Sequence, residues 1–452
     1  MTGAVAEAFD AVGGPPRADA VPCLVGRRRY PVRGARLPRL LERKMVSLAE
    51  GCGATLRGVP DDEWYATFRR AAWGVRGALR VPPAVDTIAA RTGLPLGRVR
   101  RALEGLAADL EAIDEVLACQ SPDGALAAYR TGHVNGRPWR WLPAGRHVAV
   151  RVPDNFPTIN IEWLQAVAAR RPAILNPAPG DPFTPTLLAD ALYEAGLPDG
   201  AISVAQGEAP GLWGRADQVL WPGDVPGGLR GLGPRLKTYH QARSKVVVAT
   251  ARPDPGWWPE LARLSVQGCG RLCTNPSAVL AGDRDGVARA LAEALARYEV
   301  MALDDPRAVV PAHRGDAAHR INAVVAAAVR RGAVDVSEQV TGLPRIVTGW
   351  GEVFLRPTVL AMDVDDPLFG VNLPFPFVAV GTACREDIVG SVRGSLVVWL
   401  LGADVRLVEA TTSEPTVGKV LSEDALDRAY DPRDPHEGYV ADFLFQKKAV
   451  FA

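Results

Sequence analysis

Two short segments place side chains suited to carbonyl chemistry at chain turns. In Val152-Pro153-Asp154-Asn155-Phe156-Pro157 the prolines fix a turn after an apolar run, so that Asn155 projects from the carboxyl end of a predicted strand. An amide there can donate to an oxyanion, although an Asn in this position also serves as a helix cap or turn residue. The second segment, Gln267-Gly268-Cys269-Gly270-Arg271-Leu272-Cys273-Thr274-Asn275-Pro276, is a glycine-rich loop presenting a cysteine just before an apolar strand. A thiolate so placed attacks a carbonyl carbon and leaves again; a small core cysteine is the alternative. Glycine turns follow two further predicted elements, Gly196-Leu197-Pro198-Asp199-Gly200 and Gly223-Asp224, the latter trailed by Gly227-Gly228. Backbone can approach a pyrophosphate at such turns, which also occur without ligands.

The elements that must hold these segments are legible from periodicity. The chain has 452 residues, which points to two or three domains, and a formal net charge of +1, which argues against a nucleic-acid partner. Residues 1–60 are rich in Gly, Pro and Arg and read as an N-terminal arm with one short helix over Leu37–Ala49. Residues 61–145 carry helical spacing, with apolar positions at Val99, Leu103, Leu106, Leu110, Ile113 and Leu117. From residue 146 to 252 short apolar runs alternate with helices, ending at Lys245–Ala249, the grammar of a Rossmann-like parallel sheet. A second α/β series occupies residues 253–425, and the tail 426–452 contains an alternating run, Tyr439–Phe445, read as a strand pairing with another domain or subunit. The fold class expected is α/β, two Rossmann-like domains with a helical N-terminal region and a C-terminal oligomerisation strand. Six cysteines without a C-x-x-C suggest neither a disulfide framework nor a zinc knuckle, and no metal is expected. No signal-peptide pattern opens the chain and no long apolar run follows, so a soluble, cytoplasmic protein without a membrane span is expected.

In order and spacing these segments resemble the aldehyde dehydrogenase superfamily. That family carries a P-x-N-x-P turn, a G-L-P-x-G run, a strand-ending glycine turn and a G-Q-x-C nucleophile loop, matched here by Pro153–Pro157, Gly196–Gly200, Gly223 and Gly270-Arg271-Leu272-Cys273, with Arg in place of Gln. Val353–Leu360 looks like the family's G-x-F-x-x-P-T-V-L strand, and the helical N-terminal region, with Ala90-Arg91-Thr92-Gly93-Leu94-Pro95, is similar to acyl-CoA reductases of the bioluminescence type. The resemblance spans roughly Arg146 to Val408. It implies that Cys273 is the nucleophile and that Asn155 with the Cys273 backbone N–H forms an oxyanion hole. Cys269 is then a packing residue of the loop or a redox partner.

The departures shape the expected activity. Where the family carries a hydrolytic Glu, this chain reads Tyr239-His240-Gln241-Ala242-Arg243-Ser244-Lys245, leaving His240 as a substitute base and Glu338 as a remote alternative. Without a carboxylate to activate water, the acyl-enzyme should exchange with a thiol rather than hydrolyse. The ribose-binding Lys is replaced in Asn176-Pro177-Ala178 and the nicotinamide-ribose Glu in Asn372-Leu373-Pro374-Phe375-Pro376. Cofactor contacts are therefore expected from Pro153, Asn176, Pro177, Gly223, Asp224, Gly228 and Asn372, with NADP or NAD as cofactor. The resemblance implies NAD(P)H-dependent reduction of an acyl-CoA or carrier-bound acyl thioester to an aldehyde by a homodimer or homotetramer. A cofactor-free cysteine acyltransferase, thioesterase or cyclase is the alternative.

Overall fold

A computed structural model of the chain describes residues 21–31, 36–81, 83–239, 243–383 and 387–450. Its centre is a pair of seven-stranded sheets. The first has the order β2-β1-β6-β5-β4-β7-β8, built from β1 (Cys23–Val25), β2 (Arg28–Tyr30), β4 (Val148–Val152), β5 (Ala173–Pro177), β6 (Ile202–Val204), β7 (Gln218–Pro222) and β8 (Leu236–Tyr239). The five strands from β6 to β8 are parallel. Strands such as Val148-Ala149-Val150 and Ala173-Ile174-Leu175 are buried on both faces because helices cover both sides, which is why they read as continuous apolar runs. The order turns around β4, which puts a topological switch point at the carboxyl ends of β4 and β7, the place where open α/β sheets bind ligands.

The second sheet runs β12-β15-β16-β10-β9-β17-β18, from β9 (Ser244–Val248), β10 (Pro276–Ala281), β12 (Val334–Asp335), β15 (Thr358–Ala361), β16 (Phe377–Thr382), β17 (Val397–Leu401) and β18 (Lys419–Ser422). The run Lys245–Ala249, grouped with the first series from sequence, is thus a central strand of the second sheet: β9 is parallel to β10 and β17, not to β8. Only a short connection separates Tyr239 from Ser244, so the chain changes sheets there, and periodicity carries no sign of such a crossing.

Two other expectations change. The described part of the N-terminal arm belongs to the core: β1 adds antiparallel to β6, and a 20-residue helix, Arg39–Gly58, buries Met45, Ala49, Cys52 and Leu56. In the tail, Val440–Leu444 is helical, and the strand is β19 (Phe445–Ala449), which pairs antiparallel with β3 (Trp139–Pro143) of the same chain. Phe445 stacks on Trp141 there, with ring centroids 4.5 Å apart.

The helical region locks onto the first sheet through Arg170, whose buried guanidinium donates to Asp61 at 2.8 Å and lies over the Trp64 ring. Asp61 opens the helix Asp61–Arg80, where an acid favours the positive end of the dipole. Among the described residues no helix is long and apolar enough to cross a membrane.

Candidate active site

The cysteine loop follows the helix Trp257–Val266 as a tight turn, Gln267–Gly270, in which Gly268, Cys269 and Gly270 all take left-handed backbone angles. Gly270 is required twice over, because its φ is +74° and a Cβ would collide with the backbone at Phe375 and Pro376. A left-handed Cys269 is uncommon for a residue with a side chain and persists because the surroundings fix it. Asn275 supplies much of that fixing: its Oδ1 accepts the Leu272 N–H at 2.7 Å while its Nδ2 donates to the Gln267 carbonyl at 3.0 Å. From outside the loop, Ser244 Oγ donates to the Cys273 carbonyl at 3.1 Å and Asn372 Nδ2 to the Leu272 carbonyl at 2.7 Å.

Arg271 explains itself by its partners. It is buried, and its guanidinium donates to the carbonyls of Thr92 at 2.8 Å and of Ala312 and Pro374 at 3.3 Å. A glutamine could not span those three acceptors, so the arginine clamps the cysteine loop to the Thr92-Gly93 turn of the helical region. Arg271→Ala is expected to lower stability by about 3 kcal/mol in denaturant unfolding, since three buried carbonyls lose a charged donor.

The loop aims Cys273 at a group of titratable side chains. Its Sγ lies 3.3 Å from Nε2 of His436. Burial pushes the thiol well above its ordinary value, with Glu437 and Glu162 adding to the rise. His436 is pushed down to about 4 by burial and by Lys419, and its Nε2 stands 3.8 Å from the Glu437 carboxylate. Glu162, on the helix Ile161–Ala168, accepts a hydrogen bond from Tyr239 Oη at 2.9 Å, and burial raises its carboxyl. Both shifts favour the uncharged forms, thiol and imidazole, at Cys273 and His436.

Asn155 reaches the same loop: its Nδ2 donates to the Arg271 carbonyl at 3.0 Å, and its Oδ1 is buried without a partner. The amide thus lies against the peptide chain two residues from Cys273, one of its two hydrogens uncommitted. The neighbouring Asp154 ties the β4 loop to the β5 loop by accepting the Gly180 N–H at 2.8 Å. Cys269 is enclosed, its thiol pushed up to about 12 by burial, as suits a packing residue. His240 lies outside the described residues, and Glu338 stands exposed in the first turn of the helix Val336–Thr341, its N–H held by Asp335.

The positions expected to hold a dinucleotide divide into two groups. Pro153 and Gly223-Asp224 directly follow β4 and β7, and Cβ atoms at Gly223, Gly227 and Gly228 would meet nothing within 4 Å, although the Gly223 N–H is spent on the Tyr239 carbonyl at 2.7 Å. The ribose positions do not fit. Asn176 is buried beside Pro177 at the end of β5, with its Nδ2 donating to the Ala205 and Gly207 carbonyls at 2.7 and 2.8 Å and its Oδ1 taking Arg151 at 2.8 Å. Asn372 is engaged by the cysteine loop. The segments after β6 and β7 are also short: a four-residue helix, Pro210–Trp213, whose Gly211 N–H meets the buried Glu42 carboxylate, and a kinked 3-10 stretch, Gly227–Arg235.

Comparison with known proteins places this architecture. The chain superposes on the crystal structure of an aldehyde dehydrogenase from Bartonella henselae with a TM-score of 0.77 over 95% of this chain and 98% of that one, at 14% identity. An NAD-dependent benzaldehyde dehydrogenase from Corynebacterium glutamicum gives 0.75 over 96% and 99%, at 15% identity. The fold is that of the aldehyde dehydrogenases. In sequence, the chain is 31% identical over 246 residues to the geranial dehydrogenase of Castellaniella defragrans, a match covering 48% of this chain and 48% of that enzyme, about half the length of each. No protein-family model matches the chain.

The sequence reading did not find His436, Glu437 or Glu162. His436 and Glu437 fall in a proline-interrupted tail without periodicity, and Glu162 in what reads as an ordinary first turn of a helix.

Proposed function

We propose that the chain is an oxidoreductase of aldehyde dehydrogenase architecture that captures the acyl group of a CoA or carrier-protein thioester on Cys273 and releases it as an aldehyde, with NADH or NADPH as reductant. The observation that carries the reading is the contact of Cys273 with His436 on a loop immobilised from every side, the arrangement a covalent acyl carrier needs. Cys273 Sγ attacks the thioester carbonyl, the pantetheine thiol leaves, and the developing oxyanion is met by backbone N–H of the loop and by the Asn155 amide. A nicotinamide cofactor, when bound, would supply hydride to the captured acyl carbon; the Gly228 backbone N–H would donate to its phosphates, with Pro153 and Gly223 shaping the turns beside them. The pairing of β19 with β3 leaves outer strand edges suited to assembly as a homodimer or homotetramer.

Asn176 and Asn372, both committed within the protein, favour a second reading in which the same cysteine transfers acyl groups without nucleotide, as an acyltransferase, thioesterase or cyclase. Titrating the protein with NADPH and NADH while following tryptophan emission separates the two. Of the eleven tryptophans, Trp221 stands at the carboxyl end of β7 with its indole N–H donating to the Asp224 carbonyl at 3.0 Å, and a Trp221→Phe control isolates its share of the signal. Quenching that saturates is expected; a flat response with both nucleotides would leave the second reading.

Glu162 and Glu437 do stand near Cys273, where the sequence alone offered no carboxylate, but Glu162 is held by Tyr239 and Glu437 lies against His436, so thiol rather than water should discharge the acyl-enzyme. With free aldehyde and oxidised nucleotide, CoA or pantetheine is expected to give thioester at least roughly a hundredfold faster than acid forms without it, the lower end of what a positioned general base contributes. Rapid acid formation, removed by Glu162→Gln, would instead make Glu162 a hydrolytic base.

A further inference from the structure

The tail between the second sheet and β19 is a strap laid across the active cysteine. It leaves the helical stretch Glu423–Ala429, passes Tyr430 to Tyr439, and enters the helix Val440–Leu444 on the opposite domain. Named bonds hold it on both sides. Lys419 Nζ donates to the Arg428 and Asp434 carbonyls at 2.8 Å, Tyr430 Oη to the Thr158 carbonyl at 3.2 Å, and Lys237 Nζ to the Glu437 carbonyl at 2.8 Å. Gly418 admits the strap, because a Cβ there would collide with the His436 carbonyl. So much fixing around one imidazole, 3.3 Å from Sγ, exceeds what a connecting segment requires.

We propose that His436 is a catalytic residue that carries the Cys273 proton during acyl exchange. This rests on the acyl-transfer reading above. In the tautomer protonated on Nδ1, Nε2 takes the thiol proton as the Sγ–carbon bond forms. The tetrahedral intermediate then collapses, the bond to the pantetheine sulfur breaks, and the departing thiolate recovers that proton from the imidazolium. One thioester and one thiol go in, one thioester and one thiol come out, and nothing is oxidised or reduced.

The neighbours act in opposite directions on a transient imidazolium: burial and Lys419 oppose it, and the Glu437 carboxylate 3.8 Å from Nε2 favours it. Glu437 lies beside His436, and Glu162, with Tyr239 donating to it, faces Cys273 from the first domain. Burial, with Lys419 on β18, favours the neutral ring, and Tyr430, its hydroxyl donating to the Thr158 carbonyl, lies in the same buried group as Cys273 and Glu162. A ring pushed down to about 4 is already the free base at neutral pH, so acylation should be nearly independent of pH above about 5 and fall below it as the ring protonates.

Two readouts test this on the full-length protein: the rate at which an acyl-CoA labels Cys273, followed by intact mass, and the rate at which chloroacetamide alkylates Cys273, followed by peptide mass across pH. His436→Gln, which keeps volume and polarity, should slow both on the order of 10²–10³-fold at pH 7, and its rates should climb with pH as the thiol ionises. Added imidazole should restore part of the rate to His436→Ala. Wild-type rates and an unchanged pH profile in His436→Gln would overturn the proposal while leaving acyl transfer intact. A wild-type protein that takes up no acyl group yet shows the histidine-dependent alkylation would overturn the acyl-transfer reading instead.

Discussion

Cys273→Ala is expected to abolish turnover with acyl thioesters, a loss on the order of 10⁴-fold or more, while unfolding shifts by no more than about 1 kcal/mol. The asymmetry follows from where the residue sits. The loop's shape is set by Asn275, Asn372, Ser244 and Arg271 through bonds to backbone atoms, and none of these involves the Cys273 sulfur. Removing Sγ would therefore delete the proposed covalent step, the contact to His436 and a little packing against the second core, and would leave the loop's own hydrogen bonds in place. The check is intact mass after incubation with an acyl-CoA in the absence of reductant: the wild type should gain one acyl group on Cys273 and the variant none. Label on Cys269 would relocate the nucleophile, against its complete enclosure. A variant retaining most of its turnover would reject covalent catalysis at this position.

The reading of the sequence could single out candidates where chemistry and local geometry share a short segment. Asn155 and Cys273 each sit in a motif whose prolines or glycines force the turn that presents them, so type, spacing and conformation point the same way. It failed where the partner lies far along the chain. His436 is 163 residues from Cys273 and joins it only because Gly418 and Lys419 let the strap settle. The switch of β9 to the second sheet is equally invisible, since Ser244–Val248 is as apolar as a strand of either sheet would be. Arg271, read as a departure from the G-Q-x-C loop, donates to the Thr92 carbonyl, and so joins that loop to the Ala90–Pro95 segment, a contact between two motifs that neither one announces by itself. The asparagines at the ribose positions were legible as hydrogen-bonding groups, but which atoms they serve is a property of packing. Asn176 ties β5 to the loop after β6, and Asn372 supports the cysteine loop.

Loss of the Asn155 amide should lower turnover on the order of 10²–10³-fold with little change in apparent substrate affinity, because an oxyanion donor acts where charge develops in the transition state. A structural objection has to be met, since the same amide also donates to the Arg271 carbonyl at 3.0 Å and helps seat the loop. Acylation and alkylation of Cys273 separate the two roles. Attack on a thioester builds an oxyanion; displacement on chloroacetamide does not. In Asn155→Ala the acylation rate should collapse while alkylation stays within a few-fold of the wild type. If both fell together, the amide would be a loop support and nothing more. Asn155→Asp should be worse than Ala for acylation, because a carboxylate would face the Arg271 carbonyl as a second acceptor and repel the oxyanion forming beside it. That order, wild type above Ala above Asp for acylation with alkylation nearly level in Ala, is one that a role confined to turning the chain after β4 would not produce.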